Sequence, residues 1–282
     1  MSTLRDIRTR LRSVENIKKI TDAMEKVAAV QLRRAQGKAE QSRPYISKIK
    51  EIIEKLSTTD SMHPLFEHRE VQKTGLVIIS ADRGLSGSYN TNILTTADNF
   101  LKKYTPDNVE LILIGKKALE YYRSKKWPIR HEVTGWGGKL SFHQIKIFAT
   151  QLVHWFLERD FDEIWLIYTH NITLMNRKVI LEKFLNLKKP KAEEKKTGLN
   201  NYIFEPSVDE ILTEILPQYC VTRIQTALNE AFASELAARV MAMQIASKNS
   251  TDLIERLTLV KNRVRQEAIT KEMLEISSGA ER

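Results

Sequence analysis

From Gln218 to Ser278 the chain runs for 61 residues without a glycine or a proline, although 10 Gly and 7 Pro are spread over its 282 residues. Such a stretch predicts uninterrupted helix, because those two residue types are the ones that break helices. At 1.5 Å per residue it would measure roughly 90 Å, whereas a compact globule of this chain length has a radius of gyration of about 19 Å. The helix therefore cannot lie inside its own domain. Its apolar residues must be covered by another part of the chain or by a partner.

The N-terminal segment offers that cover. Leu4, Ile7, Leu11 and Val14 follow 3-4-3 spacing, and Ile17, Ile20, Met24 and Val27 resume the stripe after one extra three-residue step. This predicts a coiled-coil seam with a local stammer. Ile46, Ile49, Ile53 and Leu56 repeat the spacing, in a helix expected from about Thr3 to Leu56 with a kink at Pro44. Toward the other end, Leu236, Val240 and Met243 are spaced 4-3, and Leu253, Leu257, Val260 and Val264 are spaced 4-3-4. Two seams flanking one middle segment imply an antiparallel pair of helices. With its base near Ser57 and Ser207, the pair would set Met1 opposite about residue 262. The last twenty or so residues, among them Ile269, Met273 and Ile276, would then lack an internal partner. Either a socket on another protein takes them or they fray.

The middle segment has a different character. It holds 18 of the 21 aromatic residues, which is what a compact core needs and a two-helix arm does not. Leu76–Ser80, Glu110–Gly115 and Glu163–Thr169 are short apolar runs that read as buried strands. Helical spacing appears at Thr91–Lys103, Lys116–Lys125 and Phe142–Glu158. Strands alternating with helices predict an α/β fold with a mainly parallel sheet and crossover helices. Arg177–Leu187 and Tyr202–Glu205 are weaker strand candidates, Ser57–Pro64 reads as a linker, and the charged Lys188–Gly198 reads as a surface loop. The expected division is thus 1–57 as the first arm helix, 58–206 as the α/β domain and 207–282 as the second arm helix.

Charge and cysteine content narrow the function classes. Residues 1–56 carry 14 Lys and Arg against 7 Asp and Glu, whereas residues 207–282 carry 9 against 11, so the two arms attract each other. The spare positive charge at Lys18, Lys19, Lys26, Arg33 and Arg34 suits phosphates or an acidic protein surface, or is an ordinary solvated face. Tyr45 is the one aromatic of the first arm, which therefore offers no stacking platform for single strands, and nucleic acid is not expected as a partner. The single cysteine, Cys220, rules out an internal disulfide and suits a reducing compartment. There is no run of eighteen apolar residues and no signal-peptide core, so neither a membrane span nor an export signal is expected.

One stretch looks like a ligand site: Ser80–Asn90, SADRGLSGSYN, between the first strand and a helix. Glycines at such a turn let backbone approach a phosphate at a helix N-terminus. Gly84 and Gly87 do not complete a dinucleotide pattern, however, and no Lys-Ser or Lys-Thr follows as in a P-loop. A tight turn in which Asp82 caps local amides is the favoured reading. The six histidines show no metal-ligand spacing, and Ser86 and Ser88 lack the flanking pattern of a nucleophile elbow. No catalytic residue, cofactor or metal is assigned.

Four segments carry a family resemblance over essentially the whole chain: LRDIRTRLRSVENIKKITDAMEKVAA at the start, ISADRGLSGSYN, ASELAARVMAM, and RQEAITKEMLEISSGA at the end. They resemble the gamma subunit of F-type ATP synthases, of bacterial type. The resemblance implies a non-catalytic central shaft, an antiparallel coiled coil with a Rossmann-like domain at its base. Its implied partners are the alpha and beta subunits, the epsilon subunit and the membrane c-subunit ring, and membrane contact would come only through other subunits. The implied location is the cytoplasmic face of the bacterial inner membrane. Arg265 and Gln266 match a pair that hydrogen-bonds a beta-subunit loop, with Thr270 and Glu272 in the same upper region and Ile276 in the tip. Met24 and its neighbours Lys19 and Lys26 match the stretch facing an acidic lever of beta, and Arg239 and Met243 match the shaft motif. Ser86 stands where many members have Cys, and the dithiol insertion of chloroplast members is missing.

Overall fold

The computed structural model describes residues 3–56, 63–138, 140–171, 173, 176–187 and 207–280. The expected strand at Tyr202–Glu205, the charged loop at Lys188–Gly198 and both domain boundaries fall on or beside residues outside these. The described chain divides into two compact units, residues 31–238 and residues 1–30 with 239–282.

The larger unit is built on a sheet of five strands: β1 (Thr74–Ile79), β2 (Val109–Ile114), β3 (Ile129–Val133), β4 (Glu163–Asn171) and β5 (Arg177–Leu185). Their spatial order is β3-β2-β1-β4-β5, parallel except for the antiparallel β5 edge. All six β1 residues are buried, because helices cover both faces of a central parallel strand, and this is why the sequence reads TGLVII rather than alternating. Helices α2 (Tyr89–Leu101) and α3 (Lys116–Arg123) pack on one face, against Leu76, Ile78, Leu111 and Leu113. The long α4 (Phe142–Leu157) covers the other face, against Val77, Ile79, Ile112 and Ile114, together with Ile49 and Ile53 of α1 (Leu4–Leu56) and Leu212 to Ala231 of α5 (Val208–Ala280). Ser141 and Gln144 close a reciprocal capping box at the start of α4.

One strand was not expected, and the two long helices run through residues that commonly break helices. The β3 strand, IRHEV, has apolar residues only at its ends because it is an edge strand with its middle exposed, so it carries no apolar run to recognise. Helix α5 starts at Val208 and passes through Pro217. Leu212, Leu216 and Cys220 form a fully buried face there while Pro217 points outward, and that packing outweighs one missing backbone hydrogen bond. Helix α1 likewise continues across Gly37 and Pro44.

In the smaller unit α1 and α5 run antiparallel. Gln244 Nε2 donates to Glu25 Oε1 at 2.8 Å and Ser247 Oγ donates to Asp22, so partners move down one helix as they move up the other. Here the stammer is corrected. The buried line of α1 passes from Leu4, Ile7, Leu11 and Val14 to Lys18, Thr21, Glu25 and Ala28, an unbroken 3-4 alternation. Ile17, Ile20 and Val27 lie outside it, 50%, 58% and 58% exposed. On α5 the matching line is Val240, Met243, Ser247, Ser250, Ile254, Leu257, Lys261 and Val264, and the expected Leu253 and Val260 are exposed. The expected alignment moves by a few residues as well, since Leu4, Arg8 and Arg12 share a groove with Lys261 and Arg265. The uncovered tail therefore begins near Gln266 rather than 262.

Candidate interaction surface

The turn after β1 sits where a doubly wound sheet normally takes a ligand. The chain moves outward from β1 to β2 and β3, then returns to lay β4 on the opposite side of β1, so the crevice opens between the C-terminal ends of β1 and β4. That crevice is filled by α5. The Tyr89 hydroxyl donates to the Ala231 carbonyl at 3.1 Å, and Ser234 Oγ donates to the Thr169 carbonyl at 2.8 Å. Phe232 meets Trp136 edge to face at 6.1 Å, and Trp136 Nε1 donates to the Ser80 carbonyl at 3.2 Å. His170 and Glu230 close the outer edge at 2.8 Å.

Asp82 of this turn is committed to backbone amides of two neighbouring loops. Asp82 Oδ1 accepts from the backbone of Lys116 at 3.1 Å and of Gly135 at 2.9 Å, and Oδ2 accepts from Gly137 at 2.9 Å. The carboxylate thus stands at the N-terminus of α3 as a built-in anion. The expected cap on local amides is corrected: Asp82 reaches amides 34 to 55 residues further on and ties three loops together. Ser86 is buried beside Asn90, in a turn whose tip Arg83–Leu85 is exposed. Leu85 holds the left-handed φ of 63° while projecting into solvent, an apolar side chain presented on strained backbone. Nothing in the residue types marked it out, since Gly84 and Gly87 seemed to supply all the freedom the turn required.

Cys220 is fully buried, and burial pushes its thiol up to about 12, so it is inert as a nucleophile. Among the described residues no group of three or more His, Cys, Asp or Glu is arranged to hold a metal. No described helix is long and apolar enough to cross a membrane.

The surface candidates lie on the arm helices. Met24 is half-buried on the side of α1 that carries Ile17, Ile20 and Val27, while Lys19 and Lys26 are exposed on another side of the same helix. Val30 extends this outward apolar patch. Arg265, Gln266, Thr270 and Glu272 are all exposed, with Thr270 Oγ1 bonded back to the Gln266 carbonyl at 2.9 Å. Ile269, Met273, Leu274 and Ile276 add large apolar side chains to this tail, with Ile276 73% exposed. Arg239 is half-buried. Met243 is only 4% exposed within the seam, so it holds the arms together and is out of a partner's reach.

A sheet whose ligand crevice is closed by its own helix, combined with paired helices that turn large apolar side chains outward, defines an α/β and coiled-coil interaction protein. The family model described as ATP synthase matches residues 3–282. The ATP synthase gamma chain of Protochlamydia amoebophila is 54% identical over 283 aligned residues, covering 100% of this chain and 99% of its own. That of Desulfitobacterium hafniense is 40% identical, covering 99% of both. Among solved structures, the rotor of the Euglena gracilis mitochondrial ATP synthase matches with a TM-score of 0.67 at 17% identity, over 94% of this chain and 98% of that one. The OSCP/F1/c-ring structure of the same enzyme matches at 0.69 and 18% identity, over 98% and 93%, which bears out the fold. The chain belongs to the ATP synthase gamma-chain family, and is a subunit of that complex.

Proposed function

We propose that this chain is the central rotary shaft of a bacterial ATP synthase, coupling proton flow through the membrane ring to catalysis in the beta subunits. The observation that carries the reading is the outward apolar patch at Ile17, Ile20, Val27 and Val30 together with the uncovered tail beyond Arg265. Large aliphatic side chains clustered in one exposed patch mark a surface that another protein covers. The proposed partners are an alpha and beta hexamer around the arm, an epsilon subunit and a c-subunit ring. Lys19, Met24, Lys26 and Arg239 would meet the hexamer along the arm, and Arg265, Gln266, Thr270, Glu272 and Ile276 at its tip. Mechanically, the shaft acts as a ligand with different affinity for each beta conformation, and rotation moves that preference from one subunit to the next. The protein is peripheral, on the cytoplasmic face of the inner membrane.

A tagged pull-down from solubilised membranes tests this. Recovery of alpha and beta in equal amounts, about three of each per copy of this chain, with epsilon and the ring, is the expected result. Recovery of the chain alone would overturn it.

A further inference from the structure

Between Val14 and Val30, α1 is inside out. The line facing α5 is Lys18, Thr21, Glu25 and Ala28, while one residue back in each turn Ile17, Ile20, Met24 and Val27 form a far more apolar line. From Val14 a step of four continues the first line and a step of three begins the second, and a helix permits either. The two differ by a roll of about 100°. Burial alone favours the second.

The opposing residues of α5 decide otherwise. At this level the α5 line is Met243, Ser247 and Ser250, two serines in an otherwise mostly aliphatic seam, with Gln244 on its exposed flank. Ser247 Oγ donates to Asp22, and Gln244 Nε2 donates to Glu25 Oε1 at 2.8 Å. Rolling the isoleucines inward would carry both carboxylates away from these donors and set the apolar line against the serine hydroxyls. On one side of this layer Leu11 and Val14 of α1 meet Ile254 and Leu257 of α5, and on the other Ala28 of α1 is level with Val240 and Met243 of α5, so the seam is apolar again at both ends. The polar layer is therefore confined to the stretch where an alternative seam competes. Polar groups set in or beside a seam, fixing its register at a cost in stability, are a known device of coiled coils.

We infer that Asp22 and Glu25, with Ser247 and Gln244, are positioning residues that select the polar seam and so hold Ile17, Ile20, Met24 and Val27 outward for a partner. This rests on the proposed role of that patch as a contact.

The test uses the full-length free chain with Ile20→Cys, Cys220 being buried and silent. In the parent background the new thiol reacts with maleimide at the rate of an exposed site. Adding Asp22→Ala and Glu25→Ala lets the apolar line roll inward, and labelling is expected to slow roughly tenfold. Adding Thr21→Leu and Ser250→Leu, which makes the observed seam apolar, is expected to restore fast labelling. Unchanged labelling after the alanine pair, or slow labelling that the leucine pair does not restore, overturns the inference. Should circular dichroism show that the alanine pair opens the arm, Ser247→Ala with Gln244→Ala on α5 is read in its place, with the same two outcomes. These rates are measured without any partner, so they hold or fail independently of the contact reading, which is decided by coupling in the assembled complex.

Discussion

Gly115 leaves β2 with φ of 99°, and a methyl group there would sit 2.2 Å from the Ser80 carbonyl oxygen. That oxygen belongs to backbone already bonded to Trp136, so it has nowhere to move. Gly115→Ala is expected to cost at least about 3 kcal/mol, read as a lowered urea midpoint with unchanged slope. Asp98 gives a second test. Burial raises its carboxyl, but hydrogen bonds from Lys125, Tyr121 and Tyr122 outweigh that and hold it below the usual range. A depressed folded value means the stabilisation is full above the unfolded value of about 3.9 and disappears as pH falls through the folded one. Asp98→Asn is thus expected to lose about 1 kcal/mol at pH 7, with the deficit closing as pH falls below the unfolded value in a pH series of melts. Neither role was legible in sequence, because the partners lie 23 to 35 residues away along the chain.

At the level of elements, the readable ones were those with a continuous or periodic apolar signal. Strands β1, β2 and β4 and helices α2 to α4 carry such runs, and each appears within a few residues of its expected bounds. The edge strand β3 carries none. The seam of α1 was misread for a physical reason: the rule that apolar residues face inward fails where a helix keeps polar residues such as Lys18, Thr21 and Glu25 in its seam and leaves an apolar line outside it. That inversion makes a prediction at this scale. Replacing Ile17, Ile20 and Val27 by serine removes side chains that are half or more exposed, so each is expected to change stability of the free chain by no more than about 0.5 kcal/mol. The same replacements are expected to weaken assembly with alpha and beta subunits by at least tenfold, measured by titrating the labelled chain into the hexamer. Strong destabilisation of the free chain would show that the exposed line packs within this protein after all.

For the whole molecule, what the sheet gave up and what the arm gained come from one helix. Ala231, Phe232 and Ser234 of α5 occupy the crevice where a nucleotide would lie, and Val240 to Val264 of the same helix build the seam. The segment beyond Arg265 belongs to neither, and its exposed Ile269, Met273, Leu274 and Ile276 stabilise nothing that the described residues contain. Removing residues 266–282 is accordingly expected to leave the melting temperature of the free chain within about 1 °C, since its described side chains are exposed. A single helix of this length is marginal in water, so any ordered role it has must come from a socket in the assembled complex. Proton-driven ATP synthesis by reconstituted vesicles is expected to fall severalfold, while ATP hydrolysis by the assembled enzyme falls less, because a shaft held only along its arm can still turn but slips under load. Equal synthesis by truncated and full-length complexes would remove the tail from coupling and leave it to the contacts along the arm.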